Sequence, residues 1–114
     1  MILIVSPNFM KYFVVGHASG ITLWPFVVLR DDTLLKNARL LNHEKIHLRQ
    51  QVEMGLIFFY IWYVVEYFIR LAIHRKHYKA YRMISFEQEA FENDRNLTYL
   101  EDRKFWGFLK KKYF

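Results

Sequence analysis

Cysteine is absent from the 114 residues, and proline and glycine are scarce at two and four. The first absence excludes disulfides, thiolate zinc knuckles and cysteine nucleophiles, so any metal site must draw on His, Asp or Glu. There is no repeat, low-complexity stretch or linker at which a second domain could begin. At this length the chain forms one domain, residues 1–114, with a modest core. Acidic residues are in the minority, 11 against 17 Lys and Arg, for a formal charge of +6. The N-terminus lacks the basic flank of a signal peptide, and Pro7 and Asn8 interrupt its apolar stretch. The expected location is cytoplasmic, with membrane association left open.

What the chain has in excess is apolar bulk, 54% hydrophobic and 19% aromatic. That argues against disorder and implies a dense core, or a greasy face kept for a partner or a bilayer. The basic excess concentrates in His74–Lys79 and Lys110–Lys112. These runs read as solvated surface charge, and nucleic acid is the least favoured partner.

The patterning predicts an α+β fold, mostly helical: an N-terminal β-hairpin or small antiparallel sheet followed by three main helices. Met1–Val5 reads as a strand. Tyr12–Val15 and Ile21–Leu29 read as two arms about a turn at Gly16–Gly20. Pro25 brings no N–H to a ladder, which places the second arm at an edge or a bulge. From Leu34 the apolar spacing becomes helical and runs to about Met54, with Asp32 or Thr33 as cap and Gly55 as break. Leu56–Ile73 is a second helix, apolar on nearly every side. Glu66 and Arg70 are spaced to pair along it and argue against a simple membrane span. It is expected as a core helix whose stretch Leu56–Phe68 meets a membrane surface or a protein. A third helix, Ser85 to about Leu100, opens on a capping-box pattern of Ser85 and Gln88.

The informative stretch is His43-Glu44-Lys45-Ile46-His47. Residues four apart share one helix face, so both imidazoles can address one metal ion. Glu44 lies beside that face, within reach of a water activated there, as a general base. A catalytic zinc wants three protein ligands and an open position. His74 and His77 sit in a basic run that repels a dication, Glu66 pairs with Arg70, and Glu53 is too far along the same helix. The segment Phe86–Asp94 remains. Phe86, Ala90 and Phe91 mark its buried side, and Glu89 lies near the border, which makes Glu89 the leading third ligand and Glu87 and Glu92 the alternatives. Asn93 would then hydrogen-bond a ligand's outer ring nitrogen.

This arrangement resembles the gluzincin division of zinc metallopeptidases. The resemblance implies a minimal zincin-like domain with one zinc ion, held by His43, His47 and Glu89, and with Glu44 as catalytic base. The metzincin division is excluded, because Gln50 and Glu53 stand where it has Gly and His. Glu87-Gln88-Glu89-Ala90 and Asn93 are also similar to the glutamate-bearing helix of compact repressor-cleaving metallopeptidases. More widely, the chain resembles a group of small bacterial proteins that share this helix, the aromatic helix and a Ser-Phe-Glu-x-Glu-Ala segment, a likeness that brings no activity with it. The oxyanion-stabilising residue stays open among His77, Tyr78, Tyr81 and Arg82. The function expected is a zinc-dependent hydrolase acting on a peptide or protein, with Ile21–Leu29 pairing with the substrate by strand addition. The alternative is a non-catalytic, metal-stabilised module that binds protein or membrane.

Overall fold

A computed structural model describes residues 1–13 and 18–114. Among them lie strand β1 (Ile2–Val5), helix α1 (Pro7–Phe13), strands β2 (Gly20–Leu23) and β3 (Phe26–Leu29), helices α2 (Ala38–Met54), α3 (Leu56–His74), α4 (His77–Met83), α5 (Ser85–Asn93) and α6 (Tyr99–Asp102), and two 3-10 turns. The α+β class is as expected: a small sheet, then helices. The sheet has the order β1-β3-β2, with β1 parallel and β2 antiparallel to β3, so it is mixed rather than purely antiparallel.

Ile21–Leu29 is not one arm. It folds on itself as the β2–β3 hairpin, with Trp24-Pro25 as the turn, in register Leu23 to Phe26 and Gly20 to Leu29. Proline's missing N–H is harmless in a turn and costly in a ladder, and the turn is where it lies. Of the other expected arm, Tyr12 belongs to α1, and the end of that arm and the start of its glycine turn, residues 14–17, lie outside the described residues.

The helix expected from Leu34 starts four residues later. Asp32–Lys36 form a 3-10 turn capped by Asp31, and Asn37 breaks it with extended backbone before capping α2 through Leu40 N–H at 3.0 Å. Gly55 ends α2 as expected, at φ +74, where a side chain would be strained. Helix α3 follows at once. The basic run after it, read from sequence as solvated, leads into α4, which buries only Ala80.

Helix α5 stops at Asn93 rather than near Leu100, because Asn42 of α2 gathers the carbonyls of Asp94 and Asn96 at 2.9 and 3.0 Å and turns the chain. It begins at Ser85 as expected, but not with the expected capping box. Ser85 donates both its N–H and its hydroxyl, at 2.6 Å each, to the buried Glu66 of α3. That carboxylate, paired with Arg70 as expected, replaces a side-chain cap from α5 itself.

The core is aromatic. Phe86 sits at its centre with no exposure, its ring 4.5 Å from both Phe59 and Phe108, and Met54 and Ile84 close the cluster. Beside it lies a buried ionic knot. Arg103 binds Glu53 and Glu89, and Tyr99 adds its hydroxyl to Glu89 at 2.6 Å. Gly107 passes so close that a Cβ there would stand 2.8 Å from Glu89 Oε2 and 3.1 Å from Arg103 Nε, so a side chain would have to displace the knot. Removing Arg103 would strand two buried carboxylates. The variant Arg103→Met is expected to lose about 3–5 kcal/mol of stability in urea unfolding, far more than its lost hydrocarbon contacts would account for.

Candidate metal centre

Helix α2 presents His43 and His47 on the face that packs against α5, where Glu87 meets them. His43 Nε2, His47 Nε2 and Glu87 Oε1 form a near-equilateral triangle with sides of 3.1, 3.0 and 3.1 Å. A tetrahedral ion bonded at about 2.0–2.1 Å would hold its donors roughly 3.3 Å apart. The triangle is therefore slightly tight for zinc and needs only tenths of an ångström to fit.

The outer nitrogens decide the protonation of the inner ones. His43 Nδ1 lies 2.9 Å from Asp94 Oδ2, a pure acceptor, and so carries a hydrogen. His47 Nδ1 lies 2.8 Å from Gln50 Oε1. The amide of Gln50 cannot flip, because its nitrogen donates to Phe86 O at 3.1 Å and Glu89 Oε1 at 2.9 Å. With both Nδ1 atoms protonated, the lone pairs of both Nε2 atoms point into the triangle beside a carboxylate oxygen. Such a set is suited to a cation; in its absence a proton must intervene.

The titration behaviour agrees. Burial alone would lower the pKa of His47, but the carboxylate of Glu87, helped by Glu44 and Gln50, outweighs it and pushes it up to about 9. Burial would raise Glu87, and the two histidines overcome that and hold it well below the carboxylate range. Tyr63 donates to Glu87 Oε2 at 2.7 Å, and Tyr81 lies beside the same carboxylate. Both phenols are pushed up, by burial first and by Glu87 next, and so stay un-ionised.

Glu44 is buried next to this set, close enough to act on His47, Tyr63 and Tyr81. The hydroxyl of Thr22 on β2 donates to Glu44 Oε2 and fixes its rotamer. Gly20, on the same strand, lies close against β3, where a Cβ would stand 3.1 Å from Leu29 Cδ2 and 3.3 Å from Val28 O, with Glu44 Oε1 beyond them in ordinary contact at 3.4 Å. The adjacent Gln51 occupies the outer edge of β2, donating to Thr22 O at 2.8 Å and accepting from Trp24 N–H at 2.9 Å.

His43, His47 and Glu44 thus fall together as the motif predicts, but the carboxylate that meets the two imidazoles is Glu87, while Glu89 is turned away from them. Glu89 instead faces the ionic knot, where Arg103, Tyr99 and Gln50 satisfy it and hold its pKa down against the effect of burial. Two residues along a helix is a turn of about 200°, so only one of the pair can face α2. Glu92 lies outside, paired with Lys112 and Tyr113. Asn93 bonds its own helix, at Glu89 O, and the outer ring nitrogens belong to Asp94 and Gln50. Among the oxyanion candidates, Tyr81 lies beside Glu87, whereas His77 pairs with Tyr67 and Arg82 stacks on Phe91. The legible signal for Asp94 was its spacing: Glu87 and Asp94 are seven apart and share one helix face. Comparison with known protein families, characterised proteins and solved structures returned no match.

Elemental analysis after zinc loading is expected to give about one zinc per chain, lost in His43→Ala, His47→Ala and Glu87→Gln. Glu89→Gln should retain the ion and weaken binding no more than about 10–100-fold, since it acts through Gln50. The proton on His47 stabilises the metal-free fold fully below about 6.5, and that contribution disappears as pH rises through about 9. The metal-free melting temperature should fall across that window. Zinc uptake near neutral pH should release about one proton per ion, measurable by titration calorimetry in two buffers of different ionisation enthalpy.

Proposed function

We propose that the protein is a zinc-dependent hydrolase, with His43, His47 and Glu87 as ligands, acting on peptide bonds. The observation that carries this is the triangle of two tautomer-locked imidazoles and a carboxylate, set beside a second buried acid, Glu44, that takes no part in it. Three N and O donors are the set a catalytic zinc uses, leaving one position for water or substrate.

Zinc, when bound, supplies Lewis acidity that acidifies water and polarises a carbonyl. Glu44 accepts the proton of the attacking water and passes it to the leaving amine, held for both steps by Thr22. Tyr81, kept protonated by its surroundings, donates to the carbonyl oxygen as negative charge develops there. Tyr63 holds Glu87 by its second oxygen and keeps the first turned to the histidines. An extended peptide approaching β2 finds Thr22 C=O and Trp24 N–H already engaged by Gln51, so strand addition there requires the amide of Gln51 to move aside.

A second reading is favoured by burial. His43, Glu44, His47 and Glu87 are only 4–5% exposed, which suits an ion that braces α2 against α5 without turnover. One variant separates the two. Glu44→Gln should keep its zinc and lose hydrolysis of a fluorogenic peptide library by about 10²–10⁴-fold, with Tyr81→Phe losing about 10²-fold. Zinc-loaded wild-type protein that cleaves nothing in the library, and no more than Glu44→Gln does, would leave the brace.

A further inference from the structure

Helix α3 is amphipathic in the reverse sense. Its polar groups turn into the protein and are satisfied there: Tyr60 donates to Gln51, Trp62 to Glu66, Tyr63 to Glu87, while Tyr67 meets His77 and Arg70 pairs with Glu66. Its outward side carries only hydrocarbon, including Ile57, Phe58, Ile61, Val65, Phe68 and Ile69, with Phe58 at 70% and Phe68 at 62% exposure. Nineteen residues of this make a face about 28 Å long. It continues across a groove to Trp106 and Phe114 in the C-terminal segment. So large an apolar surface marks a site of contact.

Charge identifies what it contacts. The outward face has no acidic residue, and the chain leaves it through the exposed Arg75, Lys76 and Lys79. On the C-terminal side, the exposed Lys104 and Lys110 flank an apolar run that includes the exposed Phe105 and Leu109. Hydrocarbon flanked by cations matches an anionic bilayer, with acyl chains inside and phosphate outside. A span is excluded by α2, which packs on α3 and exposes Arg39, Lys45 and Arg49. We infer that the protein docks on anionic lipid, with α3 lying side-on in the interface. This rests on α3 and its flanks and does not depend on zinc.

The test uses the whole protein and vesicles of phosphatidylcholine with or without one quarter phosphatidylglycerol. Co-sedimentation should be at least tenfold stronger with the anionic lipid and should weaken in high salt. Arg75→Gln and Lys76→Gln should each lower binding to anionic vesicles about fivefold. The absence of native cysteine permits single-site labelling. An environment-sensitive dye on Ile61→Cys should shift to the blue with anionic vesicles, and one on Lys45→Cys, across the domain, should not. Equal binding to both vesicle types, or an unshifted Ile61→Cys label, would overturn the inference. So would a label that shifts with protein concentration and not with lipid, which would assign the face to a second copy of the chain.

Discussion

Helices α2 and α5 are joined by hydrogen bonds more than by hydrocarbon. Asn42, His43, His47 and Gln50 all cross to α5 or its end, and each finds its partners there: backbone carbonyls of Phe86, Asp94 and Asn96, and the side chains of Glu87, Glu89 and Asp94. A greasy interface tolerates a slip of one residue; a buried polar seam does not, because every group left unpaired costs about 1–3 kcal/mol. The seam therefore fixes the rotation of α5, and that rotation decides which of its glutamates faces the histidines. The hairpin, the ionic knot and the aromatic cluster are arranged around a register set here.

The rest of the polar interior extends the same seam. Arg103 neutralises Glu89, Glu89 holds the amide of Gln50, and Gln50 selects the tautomer of His47. On the other ring Arg39 and Asp94 do the same for His43. Each imidazole thus rests on an acceptor that is itself tied to a guanidinium, once directly and once through a carboxylate. Charges distributed in this way remain buried without being orphaned.

The sequence made the periodic parts plain. The motif helix, its end at Gly55, the whole of α3 and the Glu66–Arg70 pair follow from spacing and from one glycine. Legibility failed where a residue's role is set by something distant in sequence. Glu87 and Glu89 differ by half a helical turn, and hydrophobic neighbours alone favoured Glu89, because Phe86 points to the core and not to α2. Ser85 has the chemistry of a cap, yet a carboxylate 19 residues earlier holds it instead. Pro25 was a sound warning against a central strand, but the turn it makes is visible only once Leu23 faces Phe26. Helix α4 carries almost no buried side chain, so periodicity had nothing to detect.

The triangle has a topological side as well. His47 and Glu87 are 40 residues apart, and the contact between them closes a loop that contains all of α3 and α4. An ion shared by the two would cross-link the chain at that point. In chain-entropy terms, closing a loop of that length is worth about 4 kcal/mol against the unfolded ensemble. A protein without cysteine would in this way hold a cross-link comparable to a disulfide, released by chelation or acid rather than by reductant.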